Sequence, residues 1–115
     1  MRSLFLRTLG FAAALALTTG VTHGQASDGK ALYLKNCRSC HGTSGSPTKQ
    51  ALRETPKIRA LDPEFLGKIP EDSLIAVVTN GLGKDMKPFK AKLTQEEIQA
   101  IARYVKTVLG APKPP

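Results

Sequence analysis

The only two cysteines of the chain stand three residues apart, and a histidine follows the second directly: Cys37-Arg38-Ser39-Cys40-His41. Few patterns restrict so tightly what the surrounding chain can become. Side chains at this spacing lie about 60° apart around a helix, on one face and about one turn along. Two such thiols can each add to a vinyl group on one edge of a porphyrin, while the imidazole of the next residue faces the iron from the same side. This is the Cys-x-x-Cys-His arrangement through which a c-type haem is attached.

Other uses of the same residues stay open on spacing alone. A Cys-x-x-Cys disulfide belongs to thioredoxin-like folds, which need a strand before the motif and a βαβ chain around it; the sequence offers no credible strand pair. A closed tetrahedral zinc site needs four ligands, and beyond position 26 the chain has two Cys and one His, so carboxylates would have to complete it.

Residues 1–26 read as a separate object. Arg2 and Arg7 precede an uncharged apolar run, and the segment ends among small residues at Gly24 and Ala26, the order of a secretory signal peptide. The uncharged stretch from Thr8 to Val21 falls well short of the roughly 20 residues that a membrane-spanning helix takes. A retained anchor is therefore the lesser reading. Cleavage falls before Ser27, with a cut before Gln25 nearly as good. The expectation is a periplasmic protein with no stable membrane insertion.

What remains from Ser27 onward carries 15 basic and 9 acidic side chains, a net charge of +6, and has room for one domain. Multidomain enzymes and large barrels are excluded. A chain below about 100 residues buries a modest share of its surface, so a staple or a cofactor is expected. Export permits a disulfide, but the motif gives its two cysteines another use. Nucleic-acid binding is a poor fit, because the basic residues are not interleaved with aromatics.

An electron-transfer haem takes a second axial ligand, since an open iron invites oxygen or peroxide chemistry. After removal of Met1 and His23, Met86 is the one spare soft donor. It lies in Asn80-Gly81-Leu82-Gly83-Lys84-Asp85-Met86-Lys87-Pro88-Phe89. A polar, glycine-rich loop is a poor place to bury a core filler and a good place from which a flexible thioether can reach a metal.

Around these residues the pattern is helical. Ser27 or Asp28 caps a helix from Gly29 to about Asn36 that delivers the cysteines. Residues 43–63, with prolines at 47, 56 and 63, read as mostly irregular, with one helical turn near Gln50–Glu54. Pro63–Leu66 makes a single turn with proline at its first position. The apolar run Asp72–Asn80 is helical by its acidic start and its Asn80-Gly81 stop. Leu93-Thr94-Gln95-Glu96-Glu97 carries a capping box, followed by Ile98, Ile101, Val105, Val108 and Leu109 at helical spacing up to Gly110. Residues 111–115 form a flexible proline-rich tail.

With those residues in place, positions 27–110 resemble a small monohaem class I c-type cytochrome. The matching features are Gly29 and Tyr33, Cys37-Arg38-Ser39-Cys40-His41-Gly42, Pro56-Lys57-Ile58, Met86 before a Pro-Phe pair, and the capped last helix with Tyr104. The resemblance implies an all-α fold: three to four short helices wrapped around one covalently bound haem, with the N- and C-terminal helices crossed at Gly29, Tyr33 and Tyr104. It also implies that a proline carbonyl accepts the hydrogen bond from the second nitrogen of His41; Pro56 matches best and Pro47 is the alternative. One departure is that Lys87 separates Met86 from Pro88, which implies a looser loop.

The function so implied is one-electron transfer by a haem c held through Cys37 and Cys40 and ligated by His41 and Met86, in a carrier that is not an enzyme. Lys84, Lys87, Lys90 and Lys92 cluster by the ligand loop and imply redox partners with an acidic docking surface, met by a monomer. The alternatives are a haem-binding subunit of a larger respiratory or dehydrogenase complex and a five-coordinate haem peroxidase or gas-binding protein.

Overall fold

A computed structural model describes residues 27–115; the signal-peptide reading of residues 1–26 lies outside them. Six α-helices follow one another: α1 (Gly29–Asn36), α2 (Arg38–His41), α3 (Lys49–Glu54), α4 (Pro63–Gly67), α5 (Glu71–Asn80) and α6 (Gln95–Tyr104). A π-helical segment, Val105–Leu109, continues α6. No strand occurs among the described residues, where one isolated bridge joins Leu82 and Met86.

Most helix starts are written locally. Asp28 accepts from the Ala31 amide at 3.1 Å, Thr48 from the Ala51 amide at 3.1 Å and Asp62 from the Phe65 amide at 2.8 Å. Each is a side chain satisfying a first-turn donor. At α6 the capping box closes in both directions. The Glu97 amide donates to the Thr94 hydroxyl at 3.2 Å, and the Thr94 amide to the Glu97 carboxylate at 2.8 Å. Helix α5 has no side-chain cap and begins after Pro70 with Glu71 and Asp72 in its first turn, where negative charge offsets the helix dipole.

The helices number six where three to four are expected, because Cys37 (φ −119°) breaks the first into α1 and α2 and because the single turn at α4 is a helix of its own. The last helix also departs from a continuous α-pattern. Its final turn widens so that the Gly110 amide donates to Val105 O at 2.9 Å, five residues back. Next to Val105, the Lys106 ammonium donates to the carbonyls of Leu66 and Ile69. That cation adds a charged donor to carbonyls at and just beyond the end of α4.

Helices α1 and α6 cross at Gly29. A Cβ there would lie 2.2 Å from the carbonyl oxygen of Ala100, so the two backbones touch where the side chain is missing. One turn on, the rings of Tyr33 and Tyr104 pack with centroids 5.5 Å apart, tilted by 48°. Tyr33, Leu66, Ile101 and Val105 form the fully enclosed centre. Residues 111–115 are exposed and irregular.

Candidate haem-binding site

Helix α5 is among the most apolar stretches of the chain, yet none of its residues is fully buried. Its Leu74, Val77 and Val78 line a cavity of about 600 Å³. Ile101, Ala102 and Val105 of the last helix form another wall, and Leu61, Phe65 and Ile69 a third. The lining is almost wholly apolar, and the volume sits within the roughly 300–1,000 Å³ of small-molecule and cofactor sites.

The chemistry-bearing residues meet here. Cys37 and His41 line the cavity from the α1–α2 junction, and Met86 lines it from the loop after α5. Cys40 is exposed and does not touch the cavity surface. Burial, and then the charge of Cys40, push the Cys37 thiol up to about 11, so it stays protonated at neutral pH. Burial alone lowers the pKa of His41, which keeps the imidazole neutral with a free lone pair.

Nδ1 of His41 is the one buried side-chain polar atom among the described residues without a hydrogen-bond partner. Neither Pro56 nor Pro47 supplies it with an acceptor in this structure. A neutral imidazole set with a thiol in an apolar cavity, its Nδ1 without a partner, has the setting of a metal ligand rather than of a core histidine. Two thiols at Cys-x-x-Cys spacing, that imidazole, a thioether and apolar walls fit a covalently held haem.

Met86 is held firmly. Leu82 N–H donates to Met86 O at 2.8 Å and Met86 N–H to Leu82 O at 3.2 Å, closing a small hairpin. Phe89 and Lys90 amides then bond back to Val78 and Thr79 of α5 at 3.0 and 3.3 Å. Gly81 turns the chain at φ +75°, and a Cβ there would meet Met86 O at 2.4 Å. Only glycine suits both demands. Despite Lys87, the loop is pinned at both ends rather than loose.

Cations also line the cavity itself. Lys57 and Arg59 line it, whereas Lys84, Lys87, Lys90 and Lys92 do not reach the lining. Arg59 lies over the Phe65 ring at 4.8 Å, a cation–π contact that holds the guanidinium at the cavity edge. The signal in the sequence was their place beside Ile58, directly after Pro56. Leu82, 64% exposed, brings an apolar side chain from the cavity surface into solvent.

Fold and site together define a small helical protein built around one covalently attached haem. Residues 24–105 match the family described as cytochrome c oxidase, cbb3-type, subunit III. Cytochrome c6 of Leptolyngbya boryana is 36% identical over 80 residues, 70% of this chain and 88% of that one. The chloroplastic cytochrome c6 of Chlamydomonas reinhardtii is 34% identical over 100 residues, 84% of this chain and 66% of that one. The solved c-type cytochrome KustC0563 is 38% identical and superposes with a TM-score of 0.62, over 69% of this chain and 94% of that one.

The chain belongs to the small monohaem class I c-type cytochromes. It carries one haem c, bound through Cys37 and Cys40, and passes electrons between redox partners. No described helix is long and apolar enough to cross a membrane.

Proposed function

We propose that residues 1–26 direct export to the periplasm and are removed, and that the remainder works as a monomeric one-electron shuttle in which His41 and Met86 would hold the haem iron. The haem supplies a single-electron couple between ferric and ferrous iron. Apolar walls from α5 and α6 exclude water around it, and the pinned Met86 loop limits how far a ligand can move when the charge changes. Pro56, ahead of cavity-lining Lys57 and Ile58, is the residue whose carbonyl would accept from His41 Nδ1 and fix the imidazole tautomer; the two are not bonded in this structure.

One observation carries this reading: Met86, far along the chain from the Cys37–His41 motif, lines the same apolar cavity as Cys37 and His41. Optical spectra of the purified protein in both oxidation states, with acid extraction of the haem, test it. The expected result is haem that resists extraction and a weak long-wavelength ferric band from the methionine bond. Extractable haem, or a five-coordinate ferric spectrum, overturns it.

Lys57 and Arg59 at the cavity and the exposed Lys84 and Lys87 beside Met86 support an acidic docking surface on the partner. Electron-transfer rates with such a partner are expected to fall on the order of tenfold between about 10 and 200 mM ionic strength. Rates independent of salt would discard the acidic partner. The family's description as an oxidase subunit favours a second reading, in which the same haem domain works inside a larger complex. Recovery of a stable, soluble monomer from the periplasm counts against it.

A further inference from the structure

The attachment turn is short, and its carbonyls have more donors than the turn itself provides. Cys37 O accepts from the Cys40 and His41 amides at 3.3 and 2.9 Å, and Arg38 O from Gly42 at 2.9 Å, all within the motif. The last carbonyls of a helix have no partner inside it. Here they are met from outside: Thr48 Oγ1 donates to Ser39 O at 2.9 Å, the Thr48 amide to Cys40 O at 3.0 Å, and the Tyr33 hydroxyl to Gly42 O at 2.7 Å.

Thr48 supplies two of those three bonds, and the same hydroxyl accepts from the Ala51 amide at 3.1 Å as the N-cap of α3. One side chain therefore ties the start of α3 to the middle of the motif. The need for such a tie is physical. A four-residue helix does not form on its own, because nucleation fixes many dihedrals for few bonds. Cys40 is exposed, and apart from a long contact of the Ser39 hydroxyl with its sulfur, at 4.0 Å, what holds it is the backbone beneath.

We propose that Thr48 is a positioning residue for haem attachment, holding the Ser39 and Cys40 carbonyls so that the Cys40 thiol and the His41 ring are presented together. In attachment each S–H adds across a vinyl C=C, sulfur to one carbon and hydrogen to the other, with no oxidant or reductant consumed. What the protein contributes is placement. The proposal rests on the reading of Cys37, Cys40 and His41 as the attachment residues.

Four variants separate positioning from capping and from general stability. Thr48→Val loses both functions of the hydroxyl. Thr48→Asp keeps the cap but, as an ionised carboxylate, has no hydrogen to donate to Ser39 O. Thr48→Ser keeps both. Thr94→Val removes the N-cap of α6, away from the motif. The readouts are the fraction of expressed chain carrying acid-stable haem and the exchange rates of the Cys40, His41 and Gly42 amides in the holoprotein.

Thr48→Val and Thr48→Asp are expected to lower the haem-bearing fraction and to speed exchange at those amides about five- to tenfold, the ratio one lost hydrogen bond gives. Thr48→Ser is expected to restore both, and Thr94→Val to leave both unchanged while lowering Tm. Wild-type behaviour of Thr48→Asp overturns the proposal by reducing Thr48 to a helix cap; equal effects of Thr94→Val and Thr48→Val overturn it by reducing the effect to stability. If Thr48→Val does not accumulate, the Asp and Ser variants carry the comparison. Wild-type protein without acid-stable haem would instead sink the attachment reading itself.

Discussion

A Gly29→Ala protein is expected to melt at least about 10 °C below wild type, although alanine is the better helix former by about 1 kcal/mol. The added methyl would stand 2.2 Å from the carbonyl oxygen and 2.8 Å from the carbonyl carbon of Ala100, with Tyr104 Cβ at 3.0 Å. Two of these three are backbone atoms of α6 and have no rotamer to escape into. The helices must move apart, and the Tyr33–Tyr104 contact and the enclosed centre at Ile101 and Val105 loosen with them. Overpacking typically costs about 1–3 kcal/mol, and a clash with backbone stands at or above the top of that range. A small domain has only about 5–15 kcal/mol in total. Gly67→Ala is the internal control: nothing lies within 4 Å of a Cβ there, so that variant should hold or raise Tm. Thermal unfolding of both holoproteins followed by circular dichroism decides the matter, and a Gly29→Ala protein as stable as wild type would mean that the crossing is not the tight contact described.

What could be read from the sequence divides along a physical line. Caps are local: the partners of Asp28 and Thr94 stand three residues away, so a short window of sequence contains both ends of each bond. The attachment motif is local for the same reason. That Met86 comes to the cavity was legible because it is the last soft donor, in a loop ill-suited to core packing. The stripe of the last helix was legible as far as Val105, since Ile98, Ile101 and Val105 repeat at helical spacing and are buried, whereas Val108, in the π-helical turn, is exposed.

The rest depends on distance through space. Thr48 stands in a stretch that reads as mostly irregular, and nothing nearby reveals that its hydroxyl caps α3 and also serves Ser39, nine residues back. Lys106 sits on the distant carbonyls of Leu66 and Ile69, beside a π-turn that no apolar period announces. Closeness in sequence picks out Lys84, Lys87, Lys90 and Lys92 around Met86, all of them outside the cavity lining. Lys57 and Arg59, from a proline-flanked stretch that reads as plain loop, are the cations the fold carries to the cavity.

Met86→Ala tests the proposed ligation most severely, because it removes the donor while the hairpin that carries it survives. Both bonds between Leu82 and residue 86 are backbone to backbone, and the Phe89 and Lys90 amides anchor the loop independently. The fold should therefore persist, with Tm lowered modestly by one lost apolar contact. The iron's preference should not persist. A thioether favours the ferrous state relative to harder donors; with water or hydroxide in its place, the reduction potential is expected to fall by more than about 100 mV, and each step of about 59 mV is a tenfold change for a one-electron couple. The weak long-wavelength ferric band should vanish, and carbon monoxide should bind the reduced protein rapidly at neutral pH where wild type resists it. Met86→His, by contrast, should restore six-coordination and resistance to carbon monoxide while leaving the potential low, separating loss of a ligand from loss of sulfur. If Met86→Ala keeps both the ferric band and the wild-type potential, the iron is not bound to Met86.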